Sequence, residues 1–120
     1  MCIRDRFRLL EILEKSAEKL SVIVDKLPRY VSTPELRLEC ANDEEKFRIT
    51  EKAVEYYSKV NKTITIDGVR ILFGDGWGLI RSSNTQPILV LRFEARTEKR
   101  LLEIKTQVIS KLREFGSFTE

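Results

Sequence analysis

Apolar side chains recur along this chain at two periods, and the switches between them divide it into elements. Between Phe7 and Lys15, Leu9, Leu10 and Leu13 share one helical face, with Ile12 beside them. Ser16 ends that helix. Ser21 is placed to cap a short second one running to Leu27, and Pro28 stops it. Leu36, Leu38 and Cys40 then alternate with Arg37 and Glu39, the pattern of a strand with one buried face. Asn42 starts the next helix: its side chain can accept the Glu45 amide, Glu45 stands where a capping box wants it, and Asp43, Glu44 and Glu45 suit the positive helix end. Ile49, Ala53, Tyr56, Tyr57 and Val60 form its apolar stripe.

Period two returns in the second half. Short strands are expected around Ile64 and Ile66 and from Val69 to Phe73, with tight turns at Asp67-Gly68 and Gly74-Asp75-Gly76. Two more run from Trp77 to Ser82 and from Ile88 to Ala95. In the latter, Leu89, Leu91, Phe93 and Ala95 point one way and Val90, Arg92 and Glu94 the other. Thr97 caps a final helix carrying Leu101, Ile104, Val108, Leu112 and Phe115, and Gly116 ends it. Two prolines and two hydroxyl residues mark a boundary near 27–34, read as a hinge linker over 30–34. Helices at 7–29 precede it. The unit at 35–120 has short turns that force antiparallel pairing, and two amphipathic helices that can cover one sheet face. The expected fold is a two-layer α+β domain, an antiparallel sheet with helices on one face. Its other face needs its own account, because Val90 lies there.

Composition narrows the chemistry. The 120 residues carry 22 Lys+Arg against 19 Asp+Glu, a formal charge of +3, too mild to argue for nucleic acid. There is no histidine, which excludes histidine triads, imidazole bases and histidine metal sites. Cys2 and Cys40 form no metal-spaced pair, and a reduced, cytoplasmic setting is the simpler expectation. No apolar run approaches the roughly 18 residues of a membrane span, and no secretory-signal pattern is expected at the start.

One loop stands out, Arg81-Ser82-Ser83-Asn84-Thr85-Gln86-Pro87. Arg81 offers a planar fork of donors, Ser83 and Thr85 offer hydroxyls, and Asn84 offers an amide. Asn84 also tolerates left-handed backbone, which would turn successive N–H groups inward as an anion nest. No carboxylate lies within the loop, so the inventory suits a phosphate monoester. The same composition serves an ordinary β-turn, and the residues alone leave both readings open. Elsewhere the structural roles are expected to prevail. Asp67 and Asp75 belong to turns, and Asp43, Glu44 and Glu45 to a helix start. Tyr56, Tyr57 and Trp77 suit core or rim rather than a base-stacking platform, and Cys40 suits packing. Lys99, Arg100, Lys105, Lys111 and Arg113 suit a solvated helix face.

The run Asp75-Gly76-Trp77-Gly78-Leu79-Ile80-Arg81-Ser82-Ser83-Asn84-Thr85-Gln86-Pro87, followed by Leu89-Val90-Leu91-Arg92-Phe93-Glu94-Ala95, resembles the C-terminal domain of the α-D-phosphohexomutases. Tyr30-Val31-Ser32-Thr33-Pro34-Glu35 and Ile66-Asp67-Gly68-Val69-Arg70 fit the phosphomannomutase/phosphoglucomutase branch. Asn84 favours that branch over the phosphoglucosamine mutases, which usually have Gly there. The resemblance covers about residues 7 to 115. It implies a domain similar in outline to a TATA-binding-protein-like unit, preceded at 7–29 by the last helices of a third domain. Residues 1–6 do not match and are expected to be a foreign start.

In that family a phosphoserine in the first domain gives its phosphoryl group to a hexose phosphate, the bisphosphorylated sugar turns around, and the other phosphate returns to the serine. Mg²⁺ held by second-domain aspartates assists, the third domain reads sugar hydroxyls, and the fourth grips the phosphate that is not reacting. The resemblance thus implies substrate-phosphate binding by Arg81, Ser83, Asn84 and Thr85, with no catalytic residue, metal ligand or cofactor in this chain. The partners it implies are a mannose or glucose 1- or 6-phosphate and the upstream domains, with no nucleic acid and no membrane. Such a piece alone is expected to lack turnover. Two rival expectations remain, a nucleic-acid-binding module and a stand-alone interaction domain. For the former, Arg37, Arg70 and Arg92 on the open face are interspersed with Glu39 and Glu94.

Overall fold

The structure is a computed structural model that describes residues 3–119. In chain order it comprises α1 (Ile3–Lys15), α2 (Leu20–Asp25), β1 (Val31–Ser32), β2 (Leu36–Cys40), α3 (Asp43–Val60), β3 (Lys62–Ile64), β4 (Val69–Leu72), β5 (Gly76–Ser82), β6 (Ile88–Ala95), α4 (Glu98–Phe115) and β7 (Phe118–Thr119). The strands form one antiparallel sheet in the order β3-β4-β5-β6-β2-β7, with β1 paired to β6 on the side that β2 occupies. The α+β reading with helices on one sheet face holds.

Alternation along β6 sets the layers. Leu89, Leu91, Phe93 and Ala95 are fully buried with Leu38, Val69, Ile71 and Ile80 of the neighbouring strands. Ile49, Ala53 and Tyr57 of α3 and Ile104, Val108 and Leu112 of α4 close over them. The helices can sit so low because β5 has Gly78 beneath them: a Cβ there would lie 3.0 Å from the Phe93 ring. Asn42 caps α3 by accepting the Glu45 amide at 2.8 Å, and Thr97 caps α4 by accepting the Arg100 amide at 3.2 Å.

On the opposite face Val90 is nonetheless buried. Its cross-strand partners are Arg37 and Arg81, whose long aliphatic stems flank it. That answers the question the sequence pattern raised about this side of the sheet.

Several expectations are corrected. Ile66 is 93% exposed and lies in the β3–β4 loop rather than a strand, because the turn at Gly68 already carries the chain away from the ladder. Val60 is exposed, one turn beyond the end of the α3 stripe. Ser21 does not cap α2; that helix starts two residues earlier, behind Lys19, which makes no side-chain cap bond. Glu45 does not close a capping box, because its carboxylate binds Arg48 and the Ser117 amide instead. The segment read as a hinge is extended as expected, but it is tied to the sheet: Val31 and Ser32 pair with β6, and the Thr33 N–H donates to the Phe93 carbonyl at 2.9 Å. α1 starts at Ile3 rather than at Phe7; of residues 1–6, Met1 and Cys2 lie outside the described residues, as does Glu120. Among the described residues no helix is long and apolar enough to cross a membrane.

Candidate phosphate-binding site

The strand period that buries Ile80 and points Ser82 to the helix side turns Arg81 to the open face. Its side chain is 39% exposed, and Nη1 donates to Asp67 Oδ2 at 3.2 Å. Asp67 reaches it because Gly68, at φ +67°, lets the β3–β4 turn lie against β5: a Cβ on Gly68 would fall 2.1 Å from the Ile80 carbonyl oxygen. The sequence placed Asp67 in a turn; the structure adds that the turn carries its carboxylate to the loop. A guanidinium has five N–H donors, so one carboxylate contact orients Arg81 and leaves donors for a second anion.

The connection between β5 and β6 begins at Ser83. Its N–H donates to the Ile88 carbonyl at 3.0 Å, and its Oγ accepts the Thr85 N–H at 3.3 Å, a hydroxyl-closed turn. Asn84 and Thr85 are exposed. The Pro87 carbonyl accepts the Cys40 N–H at 2.8 Å, and Ser82 Oγ lies 2.7 Å from Thr50 Oγ1. All four residues expected to grip a phosphate therefore stand at one end of the sheet, within five positions, and none is buried.

The loop does not take the left-handed nest that Asn84 would tolerate. Among the described residues no residue other than glycine has a positive φ. The loop carbonyls instead meet Lys46, which sequence reasoning missed. It is 1% exposed, and its ammonium donates to Asp43 Oδ1 at 2.7 Å, to the Ser83 carbonyl at 2.8 Å and to the Gln86 carbonyl at 3.0 Å. Two carbonyls of the loop thus converge on one buried cation. The signal was present: Lys46, Ile49, Ala53 and Tyr57 fall at helical spacing on the buried side of α3.

The remaining candidates have structural roles. Asp75 binds Arg100 Nε at 2.9 and 3.0 Å, which holds that guanidinium above its usual pKa. Trp77 Nε1 donates to Glu94 at 3.1 Å while Arg70 stacks on its ring at 4.1 Å. Tyr56 and Tyr57 meet edge to face, and burial pushes the Tyr57 phenol up. Burial likewise pushes the Cys40 thiol up, away from nucleophilic character. Lys111 pairs with Glu114, in keeping with a solvated helix face. The described residues contain no group of three or more His, Cys, Asp or Glu that could hold a metal ion.

The site thus offers a guanidinium, hydroxyls and an amide at an open loop, equipment for holding an oxyanion. The family model of the phosphoglucomutase/phosphomannomutase C-terminal domain matches residues 35–111, which span β2 to β6, α3, the loop and most of α4. The chain belongs to this family. Among curated members of the phosphoglucomutase/phosphomannomutase family, it is 44% identical over 100 residues to a phosphomannomutase/phosphoglucomutase of Pseudomonas putida, covering 82% of this chain and 21% of that protein. It is 43% identical over 102 residues to a phosphoglucomutase of Neisseria gonorrhoeae, covering 83% and 22%. A crystal structure of a phosphoglucomutase/phosphomannomutase family protein from Burkholderia thailandensis superposes with a TM-score of 0.67 at 35% identity, covering 94% of this chain and 24% of that one. The chain therefore spans a little over a fifth of the length of these two curated relatives.

Proposed function

We propose that this chain is the phosphate-gripping module of a phosphomannomutase/phosphoglucomutase. It holds the phosphate of a mannose or glucose phosphate that is not being transferred. The observation that carries this reading is the cluster of Arg81, Ser83, Asn84 and Thr85 on one unburied connection of a family member, with Arg81 oriented by Asp67. A mutase must hold one sugar in two opposite orientations, and the unreacted phosphate is the handle common to both. A fixed anion site then supplies positioning, which is much of the catalysis in phosphoryl transfer. Residues 7–29 are assigned to the preceding domain, and the phosphoserine and Mg²⁺ to partner domains beyond these residues. Nucleic acid is not the proposed partner, since Arg70 is engaged by Trp77 and the open face mixes Glu39 and Glu94 among its arginines.

Titration of the ¹⁵N-labelled chain with mannose 1-phosphate and glucose 1-phosphate tests this. Saturable shifts are expected at 81–85. Arg81→Ala should weaken binding about 10- to 100-fold, the size of a charge-assisted contact, with the sheet resonances unchanged. Shifts scattered elsewhere, or unaltered in Arg81→Ala, would sink the assignment. Conversion of mannose 1-phosphate to mannose 6-phosphate by the chain alone would show that it carries its own nucleophile, contrary to this reading.

A further inference from the structure

We propose that Lys46 is a positioning residue for the phosphate grip: its buried ammonium sets the conformation in which the 83–86 segment meets an anion. This rests on the loop's assignment above and names what makes it preformed.

An ammonium buried to 1% exposure is costly unless its three N–H donors are all met, and here they are, by Asp43, Ser83 and Gln86. Two of the three acceptors are backbone carbonyls 37 and 40 residues away in sequence. An apolar side chain on the same stripe of α3 would serve the core without that cost, so the cation serves the loop. The geometry carries further. There is no cis peptide bond among the described residues, and in a trans peptide the N–H points opposite the carbonyl. Drawing the Ser83 carbonyl inward to Lys46 therefore turns the Asn84 N–H outward, beside the hydroxyls and amide of the grip. The second carbonyl, Gln86, is followed by Pro87, which has no N–H to aim, so this anchor takes no donor from the ligand side. Lys46 works through the loop and does not itself touch substrate.

The test is the mannose 1-phosphate titration repeated on Lys46→Met, which keeps an unbranched stem and removes the donors. The expected result is an unchanged dispersion of sheet amides with affinity reduced roughly ten-fold or more, on the scale of charge-assisted hydrogen bonds lost from the loop. A merely structural lysine would lower the melting temperature and leave the affinity of the folded protein unchanged; that result overturns the inference alone. Absence of any saturable response at 81–85 in the unsubstituted chain overturns the loop assignment and this inference together. Should Lys46→Met not fold, the unsubstituted chain decides: its Lys46 ¹⁵Nζ resonance should move along the same saturation curve as the 81–85 amides. An Nζ signal that stays put while those amides shift overturns the proposal.

Discussion

Helices α1 and α4 carry the same kind of pattern and meet opposite fates. In α4, Ile104, Val108, Ile109 and Leu112 are buried against the sheet. In α1 no residue is buried, and Phe7 and Leu10 stand 66% and 58% exposed. The short α2 likewise buries nothing. The radius of gyration is 17.1 Å, where a compact chain of this length would give about 14 Å. An amphipathic period states which face needs cover; only a neighbouring layer supplies it. The body from β2 to β7 has that layer in its own sheet, and α1–α2 has none among the described residues.

The sharpest way to test this contrast is truncation inside the body. Phe93→Ala removes a fully buried ring that faces Gly78 and should cost about 3–5 kcal/mol, read as a fall in the urea midpoint at constant slope. Asn42→Ala removes the cap that starts α3, the helix bearing Lys46, and should cost about 1 kcal/mol by the same measurement.

A smaller effect is set by pH. Glu45 has its carboxyl held below the usual range, first by the Arg48 guanidinium and then by the Ser117 N–H at 3.0 Å. A lowered folded-state value means that its contribution is present above the unfolded value and is lost as pH falls through the folded one. The protection factors of the Phe118 and Thr119 amides, which are exchange rates divided into the intrinsic rate at each pH, should therefore fall on acidification through the lower carboxylate range while those of the β5–β6 amides hold. Glu45→Gln should remove that pH dependence. The smallest effect belongs to the other region: Leu10→Ala should alter body stability by no more than about 0.5 kcal/mol. A loss comparable to that of Phe93→Ala would show α1 to be packed in solution and would erase the contrast.

The candidate site divides along a similar line. Arg81, Ser83, Asn84 and Thr85 were legible because they are consecutive or nearly so, and their residue types state an anion-binding inventory without reference to anything distant. Asp67 and Lys46 were not. Asp67 looked locally complete as a turn residue, and nothing near Lys46 in sequence singled it out. Their roles come from contacts across 14 residues to Arg81 and across 37 and 40 residues to the loop carbonyls. The left-handed backbone that Asn84 tolerates is not used. Local propensity allowed αL, and the loop carbonyls instead meet a lysine from another element.

By itself the sequence determined what repeats locally: the alternation that orients β6, the caps at Asn42 and Thr97, the glycine turn at Gly68, and the donors of the loop. Tertiary structure alone decided which apolar faces are covered, why Val90 is buried between Arg37 and Arg81, and which distant charges hold the loop. The division is physical. Period and capping are interactions within a few residues, whereas burial and ion pairing depend on which surfaces the folded backbone brings within a few ångströms of one another.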